Sequence, residues 1–337
     1  MAPEVALPVR HFGRIVCTAF ILALLVLAAW ESLWRARGFQ PTLEDSAELW
    51  SSERLRANRL GKSALVLIGS SRFQLGLDPR VLKAELPAYS PVQLAIDGSA
   101  SLPVLRNLAE DPAFHGSVLV EILPSSFFPD GGDVPTARQS EWFNYAQAPP
   151  LVSPVELELR VQLRSHFVFP ISLLNPQAIL RNLWIGGGTL PDPPYWSLRT
   201  DRFRPANYAL IDQEVAKEHW RKRFEQARSV PETALGPLLN HLREWVAAIQ
   251  SRGGQVVFVR MIASSPVIEL EDHLYPRDRY FQKLTAASLK AIEFRDLPGV
   301  ATLSCPDGSH LDAAGATKFS ALLGKELLRT GLLSRQP

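Results

Sequence analysis

The sequence is poor in cysteine and almost balanced in charge. Its 337 residues include two cysteines, Cys17 and Cys305, which are too few for a disulfide framework and lack the paired spacing of cysteine-ligated zinc. Lysine and arginine number 36 against 34 acidic residues, so the formal net charge of +2 provides no basic footprint for nucleic acid. The composition therefore excludes cysteine-stapled domains and cysteine zinc sites, and no nucleic-acid partner is expected.

One long hydrophobic run lies near the N-terminus. Residues 15–30 read IVCTAFILALLVLAAW and contain no charge, and arginines flank the run on both sides. A spanning helix needs about 20 apolar residues, a length that is reached when Leu33 and Trp34 extend the run and Arg14 reaches toward the headgroups. The run therefore predicts a single membrane anchor.

The orientation of this anchor is inferred mainly from its being the first and only apolar segment, because lysine and arginine are nearly equal on its two sides. We expect the N-terminus inside and the body outside. This describes a single-pass protein of the inner (cytoplasmic) membrane with its body on the extracytoplasmic side. Two alternatives stay open: a cleavable signal, for which Leu27-Ala28-Ala29 is a poor cleavage site, and a buried core helix.

Beyond a polar linker, short apolar runs alternate with amphipathic segments. The apolar runs predict buried strands at Ala64–Ile68, 92–96, 117–123, 255–260 and 300–303. Segments with helical spacing, some of them opened by proline or aspartate, predict a helix from residue 79 and helices at 101–108, 237–252, 278–294 and 313–328. Strands separated by helices predict a parallel sheet in a three-layer α/β/α sandwich.

The domain organisation follows from these patterns. We expect an anchor at 1–37, a linker at 38–62, an α/β domain at 63–128 and 237–330, and an insertion at 129–236 after the third strand. The insertion is irregular and rich in aromatic residues, among them Trp142 and Trp196. It lies beside the carboxyl ends of the strands, where such folds bind ligands, so it is either a substrate-binding cap or a packing segment.

A candidate nucleophile directly follows the first predicted strand. Gly69-Ser70-Ser71-Arg72 occupies the place where a strand turns into a helix, so Ser71 stands at a tight turn among free backbone amides. Such amides stabilise an oxyanion when the serine attacks a carbonyl. The alternative is an ordinary Gly/Ser loop.

The candidate base lies near the C-terminus, before the last predicted helix. Asp307 and His310 are three residues apart in one loop, so the carboxylate can bond one imidazole nitrogen while the other faces the first strand. Both loops lie at the carboxyl edge of a parallel sheet. The pattern predicts a Ser71, His310, Asp307 triad.

These residues resemble the blocks of the SGNH, or GDSL-like, esterase and acyltransferase superfamily. Ser71 matches the nucleophile of the first block, in which Ser70 replaces the usual Asp, and Gly98 matches the oxyanion glycine of the second. Asp307 and His310 match the Asp-x-x-His of the last block. The resemblance implies a flavodoxin-like parallel sheet, an oxyanion hole at Ser71 and Gly98, and no metal or cofactor.

The third block departs from the family pattern. The family commonly has Gly-x-Asn-Asp after the third strand, whereas residues 121–126 read Glu-Ile-Leu-Pro-Ser-Ser. Two alternatives stay open for the missing asparagine: Ser125 or Ser126 replaces it, or the oxyanion is bound by backbone N–H groups alone.

The Gly-Ser-Ser variant, the anchor and the long insertion resemble exported members that accompany membrane O-acyltransferases in decorating surface glycans. The resemblance implies a serine esterase or O-acyl(acetyl)transferase acting on a cell-surface or exported polysaccharide, with a glycan or acyl-ester substrate and a membrane O-acyltransferase as partner. The alternative is a catalytically silent binding or assembly protein. Arg72 and Arg260 are expected to hold a substrate anion unless salt bridges to Glu121 or Asp97 engage them. Trp142 and Trp196 are expected to hold sugar rings.

Overall fold

A computed structural model describes residues 9–129, 131–148, 150, 153–185 and 188–337. The first eight residues of the predicted anchor lie outside the described residues, as do positions 130, 149, 151–152 and 186–187 of the predicted insertion.

The described chain alternates helices with short strands. The strands are β1 Ala64–Ile68, β2 Ser90–Gln93, β3 Ser117–Glu121, β4 Val256–Arg260 and β5 Ala291–Glu293. The helices are α1 Val9–Ala36, α2 Ala47–Leu60, α3 Ser71–Gly76, α4 Pro79–Glu85, α5 Leu102–Glu110, α6 Pro124–Phe127, α7 Ala137–Gln147, α8 Ser153–His166, α9 Pro176–Ile185, α10 Gln213–Glu225, α11 Leu235–Gln250, α12 Val267–Leu274, α13 Phe281–Ala286 and α14 Ala313–Arg329.

The five strands form one parallel sheet in the order β2-β1-β3-β4-β5. This is the flavodoxin-like order, in which the chain winds to one side of β1 and then to the other. All five residues of β1 are buried, because the strand is covered on both faces. The predicted α/β fold is confirmed.

Helices cover both faces of the sheet. Alternate residues of β1 enter different cores: Val66 packs in the core with α2, α5 and α11, and Leu65 and Leu67 pack in the core with α3, α4 and α14. This period-two alternation is a property of the pleated strand. The result is a three-layer sandwich in which the parallel strands all have their carboxyl ends at the same edge of the sheet.

The fifth strand lies earlier in the chain than predicted. The expected helix at 278–294 ends at Ala286, Ser288 adopts a positive φ of 62°, and β5 follows at Ala291–Glu293. The expected strand at 300–303 is wrong, because Val300–Thr302 forms a 3-10 turn. β5 pairs with β4 and occupies that edge of the sheet, with Ile292 buried in the core.

The chain divides into two compact units. The first comprises Met1–Leu43 and Leu159–Pro194, and the second comprises Glu44–Glu158 and Tyr195–Pro337, which contains the sheet. Within the first unit, α1 is long and apolar enough over Phe12–Ala36 to cross a membrane. Its last turns pack Trp34 against Phe39, Val168 and Leu174.

Candidate active site

Two loops at the carboxyl edge of the sheet bring Ser71, His310 and Asp307 together. Ser71 is the first residue of α3, which two residues separate from the end of β1, and Asp307 and His310 precede α14. The Ser71 Oγ lies 2.8 Å from the His310 Nε2, and the His310 Nδ1 lies 2.9 Å from the Asp307 Oδ2. A serine hydroxyl, an imidazole and a carboxylate thus form one continuous chain of hydrogen bonds.

Asp307 is held by further donors. Its Oδ1 accepts the backbone N–H groups of Ser309 at 2.8 Å and His310 at 2.7 Å, and its Oδ2 accepts the hydroxyl of Tyr208 at 3.1 Å. Burial by itself raises the pKa of Asp307, but the hydrogen bond and charge of His310 outweigh it, and the pKa lies below its ordinary value. Asp307 therefore stays ionised and orients the imidazole.

Glu121, at the end of β3, holds the turn that carries Ser71 in place. The backbone N–H of Ser70 donates to the Glu121 Oε2, and the Ser70 hydroxyl caps α3 by accepting the N–H of Arg72 at 3.2 Å. Gly69 leaves room for this carboxylate, since a Cβ there would lie 2.4 Å from the Glu121 Oε2. Position 69 therefore requires glycine.

Arg72 lines the cavity beside Ser71, but its guanidinium is already engaged. An Arg72 guanidinium nitrogen lies 2.7 Å from the Glu271 Oε1 in a buried ion pair, and the Nε donates to the Ser309 hydroxyl at 3.1 Å. The Arg72 Cζ lies 5.4 Å from the centroid of the Phe224 ring. The alternative of a structural salt bridge thus describes Arg72, although its partner is Glu271 rather than Glu121 or Asp97.

The expectation that Arg260 holds a substrate anion is corrected by its burial. Its side chain is 2% exposed and is paired with Asp272 at 2.8 Å and Glu293 at 3.1 Å. It does not line the cavity at Ser71. Arg260 instead joins β4 and β5 to α12.

Trp142 also differs from expectation. The side chain is 5% exposed, and its ring lies 6.2 Å from that of Trp50 in the core under α2 and α7. The ring is therefore covered and cannot stack on a sugar. Trp196 is half-buried, and the Arg204 Cζ lies 4.3 Å from the centroid of its ring. Arg204 also pairs with Asp97, which lines the cavity.

A cavity of about 330 Å³ opens over Ser71 and His310. Gly98, Ser125 and Ser126 line one side of it. Gly98 follows β2 with a φ of +70°, a backbone conformation that glycine favours. The residues expected to supply an oxyanion hole thus surround the cavity that contains the Ser71 hydroxyl.

The opposite side of the cavity is formed by α10. Trp220, Arg223 and Phe224 line it, and the ring of Trp220 meets that of His310 edge to face at 5.0 Å. Arg223 is exposed and forms no ion pair with any described residue, and it stacks over Trp220 at 5.4 Å.

Sequence reasoning did not single out Tyr208 or the α10 residues as site residues. They lie in the irregular insertion and belong to no catalytic block. The available signal was the four-residue spacing of Trp220 and Phe224, which places two aromatic rings on one face of a helix. Within the described parts of the chain, no group of three His, Cys, Asp or Glu residues could hold a metal ion.

No protein-family model and no curated protein match this sequence. Among solved structures, the chain is similar to one titled as the crystal structure of TesA, with 12% sequence identity and a TM-score of 0.35. The alignment covers 80% of this chain and 99% of that chain. The function is therefore inferred from the geometry of the site.

Proposed function

We propose that this protein is a membrane-anchored serine esterase or O-acyltransferase that acts on a cell-surface or exported polysaccharide. The observation that carries the proposal is the hydrogen-bonded chain from Ser71 through His310 to Asp307 at the floor of an open cavity. Nucleophile, base and orienting carboxylate within hydrogen-bond reach of one another are the signature of covalent acyl transfer.

The proposed reaction has two steps. His310 takes the proton of Ser71 at Nε2 while the Ser71 Oγ attacks the ester carbonyl, and the leaving alcohol departs with that proton to give an acyl-serine. Water or a sugar hydroxyl then attacks the acyl carbon, again with His310 as base, and Ser71 is regenerated. The backbone N–H groups of Ser71 and Gly98 are the proposed donors to the oxyanion of both tetrahedral intermediates.

The environment of Asp307 supports this assignment. A carboxylate that accepts the Nδ1 proton fixes the tautomer in which Nε2 is free to accept the serine proton. The low pKa of Asp307 keeps this acceptor charged at neutral pH.

An extended glycan fits the shape of the site better than a small ester alone. The cavity is open to solvent, and α10 presents Trp220 beside the reacting atoms. An aromatic face next to the nucleophile is suited to a sugar ring, whose C–H face packs on it. We propose Trp220 in the role expected of Trp142, and a membrane O-acyltransferase as the source of the acyl group.

The last turns of α1 pack against later residues of the first unit. Trp34 is 1% exposed, and Glu31 accepts the backbone N–H groups of Val168 and Phe169 at 3.0 and 2.9 Å. Glu31 and Trp34 follow Leu27-Ala28-Ala29 and would remain after cleavage there, so the proposal of a retained anchor rests on the poor match of that tripeptide to a signal-peptide cleavage site. The proposed location is the inner membrane, with the body on the extracytoplasmic side.

A fluorophosphonate probe tests the proposal, because it modifies only a serine activated by a base. We expect the detergent-solubilised protein to be labelled at Ser71, and Ser71→Ala to abolish labelling while Ser70→Ala retains it. The missing third-block asparagine favours the alternative of a silent binding protein. An unlabelled wild type that also fails to hydrolyse small acetyl esters would support that alternative.

A further inference from the structure

A concentration of exposed apolar side chains marks residues 159–185 of the first unit, from the second half of α8 to the end of α9. Among the described residues, eight large hydrophobic side chains between 159 and 185 are exposed, against five in the whole of the second unit. They include Leu159, Leu163, Phe167, Leu180, Trp184 and Ile185. Soluble surfaces seldom carry such a density, and it usually marks a membrane or protein contact.

The most exposed of these residues lie on α9. Trp184 is 91% exposed, Ile185 is 83% exposed and Leu180 is 61% exposed. Leu180 and Trp184 are one turn apart and therefore lie on the same face of the helix. Ile179, on another face, is buried in the cluster that contains Trp34. Thus α9 packs on the end of α1 with one face and leaves an apolar face uncovered.

Several contacts hold this segment to the end of the membrane-spanning helix. The Arg35 guanidinium donates to the carbonyl of His166 at 2.6 Å, and Glu31 accepts the N–H groups of Val168 and Phe169. Since about 20 helical residues fill the hydrocarbon core of a bilayer, a span that begins near Phe12 reaches the headgroups near Glu31. Residues 166–179 are therefore held at the level where α1 leaves the hydrocarbon.

The composition of residues 159–194 is typical of a segment in the headgroup region of a bilayer. Trp30 on α1 and Trp184 on α9 are residues that favour the membrane interface. Between residues 159 and 194 the sequence contains three arginines, Arg160, Arg164 and Arg181, and one acidic residue, Asp192. A cationic, aromatic and aliphatic segment of this kind is typical of helices that lie in the headgroup region, where anionic lipids add attraction.

We propose that α9 is an interfacial helix whose Leu180, Trp184 and Ile185 side chains are immersed in the lipid surface around α1. The occupant of the exposed apolar face is lipid, because α9 packs through Ile179 on the end of the helix that spans the bilayer, within one compact unit. Of the proposed function, this inference rests only on the membrane-spanning role of α1, and it is independent of any activity at Ser71.

Depth-dependent fluorescence quenching in vesicles tests the proposal with the full chain. In a Cys17→Ala background, an environment-sensitive fluorophore is attached at Trp184→Cys, with Leu24→Cys as the reference for lipid and Val215→Cys as the reference for water. Leu24 is 49% exposed on α1, and Val215 is 66% exposed on α10 of the second unit. Trp184 is 91% exposed, so its replacement removes little packing from the fold. The vesicles contain phosphatidylglycerol and phosphatidylcholine brominated near the carbonyl end of the acyl chains.

We expect the label at 184 to be quenched by brominated lipid and to be severalfold less sensitive to aqueous iodide than the label at 215. Full iodide quenching at 184 without lipid quenching would overturn the proposal. Protection from iodide without lipid quenching would also overturn it, and would assign the face to a protein. Absence of lipid quenching of the label at 24 would reject the membrane anchor and, with it, this proposal. That result would not bear on the proposed esterase activity at Ser71, which is measured separately.

Discussion

The indole ring of Trp220 meets the imidazole of His310 edge to face, with ring centroids 5.0 Å apart and planes inclined by 61°. The two nitrogens of the same imidazole are engaged by Ser71 and Asp307. The contact with Trp220 packs the indole against this ring and places an aromatic side chain in the wall of the cavity that contains the Ser71 hydroxyl. One residue of α10 thus contributes both to the order of the proposed base and to the shape of the substrate cavity.

Replacement of the proposed nucleophile and base should abolish hydrolysis of a small acetyl ester. Ser71→Ala and His310→Ala should each lower kcat/KM by on the order of a thousandfold or more, because nucleophile and base act as one unit. Ser70→Ala is the matched control: it removes the cap on α3 at a cost of about 1 kcal/mol in stability and leaves the Ser71 hydroxyl in place. Inactivation by Ser70→Ala with a fully active Ser71→Ala would show that the wrong serine has been assigned.

Replacement of Trp142 by alanine should lower stability, whereas replacement of Trp220 by alanine should lower activity on a polysaccharide. Trp142→Ala leaves a hole in the core and should lower the free energy of unfolding by about 3–5 kcal/mol. Trp220→Ala should leave the unfolding temperature nearly unchanged but reduce acyl transfer to a polysaccharide far more than hydrolysis of a small ester, since remote contacts help only when the remote part is present. Equal losses of Trp220→Ala on both substrates would limit Trp220 to ordering His310.

Arg223 lines the cavity and pairs with no acidic side chain among the described residues, so it should favour anionic substrates. Arg223→Gln should raise KM severalfold for an ester that carries a carboxylate and leave KM unchanged for a neutral ester, and added salt should diminish the difference. Lys222→Gln is the control, because Lys222 pairs with Glu218 at 3.4 Å and does not line the cavity. If the two variants behave alike, Arg223 is a solvent-facing charge without a role in recognition.

The carboxylate beneath the nucleophile turn should give a pH-dependent stability. Burial raises the pKa of Glu121 above its ordinary value of 4.5, although the N–H of Ser70 and the charge of Arg72 oppose this. The folded state therefore disfavours the ionised form, and the resulting destabilisation develops as the pH rises above about 4.5. Urea unfolding in detergent should show Glu121→Gln gaining stability relative to the wild type between pH 4 and pH 7.

Glu326→Gln provides a control of opposite sign. The hydrogen bond and charge of Arg329, at 2.5 Å, lower the pKa of Glu326, so its contribution to stability is present above the ordinary pKa and is lost as the pH falls. This variant should lose stability relative to the wild type over the same pH range. A difference for Glu121→Gln that does not vary with pH would mean that the carboxyl group is charged to the same extent in the folded and unfolded states.

The proposed topology predicts the behaviour of a fusion. A reporter that is active only outside the cytoplasm should function when attached after Pro337, and sequencing of the mature chain should find the original N-terminus. A mature chain that begins near Trp30 would establish a cleaved signal instead, and a reporter active only in the cytoplasm would reverse the orientation.

The order of strands and helices is determined largely by local sequence. The run Ala64–Ile68 is a strand with the predicted bounds, because five successive apolar residues suit a strand that is buried on both faces. Asp78 caps the helix that Pro79 opens, as its position indicates, since its side chain accepts the N–H of Arg80. The Asp-x-x-His spacing likewise places His310 over Asp307, because three residues of one turn suffice for that contact.

Only the tertiary structure decided which insertion residues reach the cavity and which are buried. Trp142 and Trp220 are both aromatic residues of the same irregular segment. The spacing of Trp220 and Phe224 places two rings on one helix face, but it does not distinguish a face that meets the core from one that lines a cavity. The environments of Trp142 and Trp220 depend on the elements against which α7 and α10 pack: α2 for one and α12 for the other. The tertiary structure also decided the partners of Arg72 and Arg260 and the position of β5. Burial and ion pairing at these places are set by contacts between residues far apart in the chain.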